Sequence, residues 1–253
     1  MSFCLEPLLT REKVKAIQTA VESADWQNGI GTAGWHARTV KRNLQLRRDA
    51  EPGQRLAKEV KQALLANPLL KAAALPKHIH GILFSRTENG GHYGRHVDEA
   101  RMQGGRTDLS FTLFLQEPDH YAGGELVVET AFGDQRFKLP AGHAVVYPSG
   151  SLHWVEPVTT GSRLVCVGWI ESLVRDPAKR EVLFDLDAAA RSLFARGGRM
   201  AEFDLTSSAC GVAEQWTSLA DTHCLPAASP ECLNNASGEG PRPLKAWNTM
   251  PGC

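Results

Sequence analysis

The sequence lacks several features that would point to other classes of protein. Lys and Arg together number 28, as do Asp and Glu, so the formal net charge is zero. Partners such as nucleic acid or anionic membranes usually require a basic excess, so we expect neither. No apolar run approaches the roughly 20 residues that a membrane-spanning helix requires. The first seven residues lack the basic and apolar segments of a signal peptide, which predicts a cytoplasmic protein.

Cysteine pairs with metal-site spacing are also missing. No C-x-x-C motif occurs, so zinc-ribbon and thioredoxin-type sites have no support. Without a secretory signal, the thiols are expected to be free rather than paired in disulfides. The six cysteines are Cys4, Cys166, Cys210, Cys224, Cys232 and Cys253.

Helical patterns dominate the first 76 residues. Apolar residues recur at helical spacing over 10–24, which Thr10 can cap, and over 53–66, and a short helical segment follows at 69–75. Between the first two helices, residues 35–48 are strand-like and rich in basic side chains. We interpret them as a solvated face, with the alternative that they border the entrance to a site for an anionic substrate. The basic residues are Arg38, Lys41, Arg42, Arg47 and Arg48.

From residue 77 the pattern changes to short strands separated by Gly/Pro turns. This spacing predicts a mainly β fold with flanking helices, in which the sheet folds over on itself as a jelly roll. One of the turns is predicted as a hairpin at 159–162. The strands are expected at 78–86, 108–115, 125–129, 136–139, 144–147, 152–155 and 163–170.

A long helix is predicted after Asp176-Pro177, and its apolar stripe is expected to close over one sheet. Four regions follow from these patterns. They are an N-terminal helical support region at 1–76, the jelly-roll core at 77–171, the C-terminal helix at 172–196 and an atypical, partly disordered tail at 197–253.

The strongest candidate for a chemical site begins at His96 and Asp98, behind a glycine-rich stretch. Residues two apart on an extended strand project from one face, so the imidazole and the carboxylate can converge. His153, on a later strand, would complete two imidazoles and one carboxylate, a set that suits non-haem Fe(II) with open positions. Arg163 follows, and its guanidinium suits the carboxylate of a dicarboxylate cosubstrate.

A second pair with the same spacing, His78 and His80, lies in the predicted strand 78–86. No carboxylate stands nearby at a matching spacing. We therefore interpret both side chains as residues at the sheet surface rather than as metal ligands.

The motifs His96-x-Asp98, His153 and Arg163 resemble those of the Fe(II)/2-oxoglutarate-dependent dioxygenases. Their context is similar to that of the bacterial PKHD-type hydroxylases, the prolyl/lysyl hydroxylase-like branch, from about residue 3 to about residue 195. The segments that carry the resemblance are Arg95–Asp98, Arg106–Ser110, Gly123–Leu126, Leu139–Gly142, Tyr147–Pro148 and Leu152–His153.

The resemblance implies a double-stranded β-helix in which His96, Asp98 and His153 bind Fe(II) and Arg163 pairs with the distal carboxylate of 2-oxoglutarate. It also implies consumption of O₂, release of succinate and CO₂, and ascorbate as a helper that keeps the iron reduced. One departure concerns Thr87, which stands where the family commonly has a tyrosine. Tyr93 or Tyr147 could substitute for the missing phenol.

Alternative functions are a cupin-like zinc or manganese protein acting as a hydrolase or isomerase, and a metal-binding module without catalysis. Arg163 argues against a zinc hydrolase, which has no need for it, and the neutral net charge argues against a nucleic-acid demethylase. The resemblance points to amino-acid side chains of peptides or proteins, or to small molecules, as substrates. The sequence determines neither the substrate nor the oligomeric state.

Overall fold

The computed structural model describes residues 2–32, 37–47, 51–102 and 105–195, so the predicted tail at 197–253 lies outside them. The helices are α1 (Arg11–Glu22), α2 (Glu51–Ala66), α3 (Pro68–Ala74) and α4 (Pro177–Ala195). The strands up to the first candidate ligand are β1 (Phe3–Leu5), β2 (Trp26–Asn28), β3 (Lys41–Arg42), β4 (Leu44–Leu46), β5 (Pro76–Glu88) and β6 (His92–His96). The others are β7 (Arg101–Met102), β8 (Gly105–Arg106), β9 (Leu109–Phe114), β10 (Tyr121–Gly123), β11 (Leu126–Thr130), β12 (Gly133–Phe137), β13 (Ala144–Pro148), β14 (His153–Val155) and β15 (Val158–Ser172).

The strands form two main sheets and one small hairpin. The larger sheet has the order β1-β13-β9-β15-β5-β4-β2, with β10 paired to the start of β15. The smaller sheet has the order β12-β11-β14-β6-β3, and β7 pairs with β8 alone. Early and late strands are thus neighbours in both sheets, and the predicted mainly β, jelly-roll architecture with flanking helices is confirmed.

The hydrophobic core lies in two clusters. One joins the helices to the larger sheet and contains Phe84, Phe111 and Leu56, all at most 1% exposed. The other fills the space between the sheets and contains Phe114 and Val128, both fully buried. Because apolar residues recur at 3.6-residue spacing in α1 and α2, one side of each helix covers the outer face of the larger sheet.

The helix starts follow from local capping. The Thr10 side chain accepts a hydrogen bond from the Lys13 backbone N–H at 3.4 Å, as predicted for α1. Asp176 Oδ1 accepts one from the Ala178 backbone N–H at 2.8 Å at the start of α4. In the described parts of the chain, no helix is long and apolar enough to cross a membrane.

Three details of the predicted architecture differ from the structure. The hairpin predicted at 159–162 is wrong, because β15 runs through it from Val158 to Ser172. A positive φ of 73° at Gly161 lets the strand pass closely over the His120 carbonyl without a reversal. The helix α4 packs chiefly on α3 rather than over a sheet, which leaves Val182 48% exposed. The first 76 residues also supply β1 and β2 to the larger sheet, whereas the sequence pattern was strand-like only over 35–48, which contains β3 and β4.

Candidate metal and cosubstrate site

The two sheets bring the three predicted ligands together at one point between them. His96 ends β6 and stands opposite His153 of β14 in the antiparallel register of the smaller sheet. Asp98 follows directly, and its backbone N–H donates to the Ser149 carbonyl at 3.1 Å, which continues the extended path. The ligand atoms of the three side chains lie within 4.8 Å of one another.

Both imidazoles are oriented by the backbone just before them. His96 Nδ1 lies 2.8 Å from the Gly94 carbonyl oxygen, and His153 Nδ1 lies 2.9 Å from that of Ser151. A carbonyl can only accept, so each Nδ1 carries the proton and each Nε2 keeps a free lone pair. That is the form in which histidine binds a metal ion.

The Asp98 carboxylate is held by two donors from the larger sheet. Its Oδ2 accepts hydrogen bonds from Ser110 Oγ at 2.5 Å and from Trp169 Nε1 at 3.0 Å. The same oxygen lies 3.8 Å from His153 Nε2. These two hydrogen bonds fix the direction of the carboxylate relative to the two imidazoles.

Burial keeps His96 neutral. Desolvation, followed by the proximity of His153, lowers the pKa of His96 to about 4. Around neutral pH the ring therefore presents a lone pair, not a second proton. The two nitrogens and one carboxylate, with their free lone pairs converging, fit a divalent transition metal such as Fe(II).

Arg163 lies in the wall of the same space and is only 3% exposed. Its Nε and Nη2 are buried and have no hydrogen-bond partner among the described residues. Burial lowers the pKa of this guanidinium. A buried cation with unpaired donors is costly, so the arrangement fits an anionic ligand that supplies the missing acceptors.

Tyr121 adds a second unpaired donor beside Arg163. Its hydroxyl is buried and finds no partner within the described part of the chain. Gly124 packs against both side chains, since a Cβ there would lie 3.0 Å from Arg163 Cδ and 3.1 Å from Tyr121 Cε2. A phenol beside a guanidinium offers two kinds of donor to one carboxylate.

A cavity of about 440 Å³ connects the three ligands with Arg163. Thr87 is in its wall and pairs directly with Arg163 across β5 and β15. Tyr93 and Tyr147, the candidates for the missing phenol, also line it. Tyr93 stacks on His96 with ring centroids 3.7 Å apart, and Tyr147 meets His153 edge-on at 5.0 Å.

The second histidine pair does not join this site. His78 is exposed, as predicted, but the surface position predicted for His80 is wrong, because that side chain is 8% exposed. His80 Nε2 lies 2.8 Å from the carbonyl oxygen of Arg106 in β8. The backbone of Gly105 covers the His80 ring. His80 is therefore buried, although the alternation of the strand predicts an exposed position for it.

Four residues of the site were not identified from the sequence as parts of it. Tyr121, Ser110 and Trp169 act through contacts across strands, and Lys41 was interpreted as part of a solvated face. A signal existed for Trp169, because it stands an even number of residues after Arg163 on one strand and so shares its face. Tyr121 precedes the Gly123-Gly124 pair, but the hydroxyl's direction depends on the fold.

Comparisons with known proteins agree with this chemistry. The sequence model of the 2OG-Fe(II) oxygenase superfamily matches residues 82–171. A PKHD-type hydroxylase of Synechococcus elongatus is 51% identical over 211 residues, which cover 82% of this chain and 95% of the relative. A PKHD-type hydroxylase of Acaryochloris marina is 51% identical over 217 residues, 85% of this chain and 99% of the relative.

Solved structures support the fold. A prolyl-4-hydroxylase of Pseudomonas putida is similar with a TM-score of 0.51 and 22% identity, over 68% of this chain and 92% of that chain. A prolyl hydroxylase of Trichoplax adhaerens reaches a TM-score of 0.51 with 12% identity, over 72% and 86%. Given the sequence identity over nearly the whole length of its relatives, the chain belongs to the PKHD-type hydroxylases of the 2OG-Fe(II) oxygenase superfamily and is an Fe(II)- and 2-oxoglutarate-dependent hydroxylase.

Proposed function

We propose specific roles for the residues of this hydroxylase. His96, Asp98 and His153 hold Fe(II), and Arg163 binds the distal carboxylate of 2-oxoglutarate. Tyr121 donates a hydrogen bond to the same carboxylate. It takes the place of the tyrosine that the family commonly has at the position of Thr87. When bound, iron with 2-oxoglutarate and O₂ supplies the oxidation of a substrate C–H bond, with release of succinate and CO₂.

The observation that carries the proposal is the buried, unpaired guanidinium of Arg163 in one cavity with the three ligands. A planar fork of donors binds a carboxylate through two parallel hydrogen bonds, which fixes the direction of the cosubstrate as well as its position. The Arg163 guanidinium lies over the Phe114 ring, with its Cζ 5.4 Å from the ring centroid, and the ring supports it from one side. The donors therefore need not reorganise on binding.

The residues around the ligands have distinct tasks. Ser110 and Trp169 hold the Asp98 carboxylate in one direction, whereas the Gly94 and Ser151 carbonyls keep both Nε2 atoms free. Tyr93 and Tyr147 cover the imidazoles with apolar rings. This shielding limits the access of bulk water to the ligands and strengthens the electrostatic interactions within the site.

The substrate is proposed to be an amino-acid side chain of a peptide or protein, or a small molecule. Ascorbate is proposed as the reductant that restores Fe(II). Nucleic acid is not part of the proposal, because basic and acidic residues balance. A cytoplasmic location remains a prediction, which cell fractionation tests.

The test of these roles is the formation of succinate from 2-oxoglutarate by purified protein with Fe(II), ascorbate and O₂. We expect succinate to depend on Fe(II) and to be lost in His96→Ala, Asp98→Ala and His153→Ala. Equilibrium binding of 2-oxoglutarate in the absence of O₂ should be lost in Arg163→Met and weakened in Tyr121→Phe. Retention of full affinity in Arg163→Met would show that the cosubstrate binds elsewhere.

A further inference from the structure

Lys41 is a second buried cation in the wall of the cavity. It belongs to β3, at the edge of the smaller sheet, and its side chain is 8% exposed. The next residue, Arg42, points to the opposite face and is exposed. Lysine rarely buries its charge, so the inward direction of Lys41 places a positive charge in the wall of the cavity.

The Tyr93 ring lies between the Lys41 ammonium group and the proposed metal ligand His96. Lys41 pairs with Tyr93 across β3 and β6, and its Nζ lies 4.9 Å from the centroid of that ring. Tyr93 in turn stacks on His96 at 3.7 Å. An anion bound by Lys41 would lie in the same cavity as the three proposed metal ligands.

The charges of the cavity wall are unevenly distributed. Within the described ranges, Lys41 and Arg163 are the cations of the wall that are buried, and they come from different sheets. Arg95 is exposed and pairs with Glu129. Of the carboxylates in the wall, Asp98 is a proposed metal ligand and Glu99 is exposed, where solvent screens its charge.

Neutral polar side chains extend the wall away from Lys41. Asn43 and Gln45 follow on the same face of the chain, and Ser85 lies opposite Gln45 on β5. The Asn43 amide donates to Ser85 Oγ at 2.6 Å. The amide and hydroxyl groups of this part of the wall can orient a polar group of a substrate.

We propose that Lys41 binds a carboxylate of the organic substrate, so that this hydroxylase acts on a small carboxylic acid, such as a free amino acid. The inference rests on the proposed function, in which Arg163 already holds the cosubstrate on the opposite sheet. Lys41 has further contacts within the protein, but an ammonium group has three donors and can hold a neighbour and a ligand together. The acid would lie between the two sheets, in the cavity that the proposed iron ligands also line.

The test measures binding rather than turnover. Protein loaded with Fe(II) and 2-oxoglutarate is kept free of O₂ and titrated by calorimetry with the free L-amino acids, their carboxamides and small phosphate monoesters. We expect at least one acid to bind about tenfold or more tightly than its carboxamide, since hydrogen bonds to charged groups are the stronger ones. In Lys41→Gln this discrimination should disappear while the carboxamide keeps its affinity.

Arg42→Gln is the matched control, because it removes the same charge from the neighbouring residue on the outer face. It should keep the preference for the acid. A purely structural role of Lys41 would weaken acid and carboxamide alike, which would overturn the inference. It would also be overturned if no acid binds, if phosphate monoesters bind more tightly than every acid, or if Lys41→Gln weakens 2-oxoglutarate binding as much as acid binding.

Failure of the inference can be separated from failure of the proposed function. Succinate formed by the wild-type protein without any added acid tests the iron and 2-oxoglutarate roles alone. If that succinate forms but no acid is discriminated from its carboxamide, only the role of Lys41 is refuted. If no succinate forms under any condition, the proposed function is refuted first.

Discussion

The indole of Trp169 donates a hydrogen bond from Nε1 to Oδ2 of Asp98, across 3.0 Å and between the two sheets. The indole can occupy this position because Gly81, with φ of 65°, has no side chain. A Cβ there would lie 2.4 Å from Trp169 Cε3. A residue outside the proposed ligand set thus sets the direction of one proposed metal ligand.

Trp169→Phe should weaken metal binding without unfolding the protein. The substitution keeps an aromatic ring in the cleft but removes the donor, and loss of such an outer partner typically costs about 10- to 100-fold in metal affinity. The measurement is calorimetric titration of the metal-free protein with Mn(II), which avoids oxidation. The control is Trp154→Phe, because Trp154 Nε1 donates to Glu156 and not to a ligand. Equal losses in both variants would contradict the assigned role.

Arg163→Lys should weaken 2-oxoglutarate binding although the substitution keeps the positive charge. Lysine replaces a planar fork with a single ammonium, which cannot form two parallel hydrogen bonds to one carboxylate. We expect a loss of about tenfold or more, measured by equilibrium binding of 2-oxoglutarate with Mn(II) and without O₂. An unchanged dissociation constant would show that Arg163 does not contact the cosubstrate.

The candidate ligands could be selected from the sequence because the geometry of the first two is local. His96 and Asp98 share a face through the two-residue period of an extended chain, and the regular strand spacing indicates a sheet that folds back on itself. His153 and Arg163 follow once such a fold is assumed. The structure brings His96, Asp98 and His153 within 4.8 Å of one another and places Arg163 in the same cavity.

The residues that were missed depend on contacts between distant strands. Lys41 and Tyr121 carry ordinary surface-type or core-type side chains, and only the pairing of β3 with β6 and of β10 with β15 directs them inward. The hairpin at 159–162 was mispredicted because Gly161 resembles a turn residue. In the fold its positive φ allows close passage over another backbone, a role that sequence spacing cannot distinguish from a reversal.

Gly124→Ala should impair both stability and cosubstrate binding. The residue has φ of 72°, and a Cβ would lie 2.8 Å from Val158 Cγ2 and 3.0 Å from Arg163 Cδ. We expect a loss of about 1–3 kcal/mol in the free energy of unfolding from strain and displacement. Urea denaturation and 2-oxoglutarate binding measure the two effects.

The control for that substitution is Gly133→Ala. Gly133 also has a positive φ, 112°, but a Cβ there would meet no atom of the described chain within 4 Å. This variant should lose stability through backbone strain alone and keep its affinity for 2-oxoglutarate. If Gly124→Ala also kept full affinity, the contact between Gly124 and Arg163 would have no role in positioning the guanidinium.

The metal-free protein should lose stability as the pH falls from about 6.5 to about 4. Burial lowers the pKa of His96 from 6.5 to about 4, so in this window the unfolded chain binds a proton that the folded chain does not. Stability therefore rises with pH across the window, and the contribution is complete above the unfolded pKa. Its size is about 3 kcal/mol if the whole shift is expressed. Urea denaturation at several pH values in the presence of a chelator measures this loss of stability.

His96→Gln should flatten this part of the stability profile, whereas His120→Gln, which removes an exposed imidazole, should keep it. The same slope in His96→Gln as in the wild type would show that other groups cause the acid sensitivity.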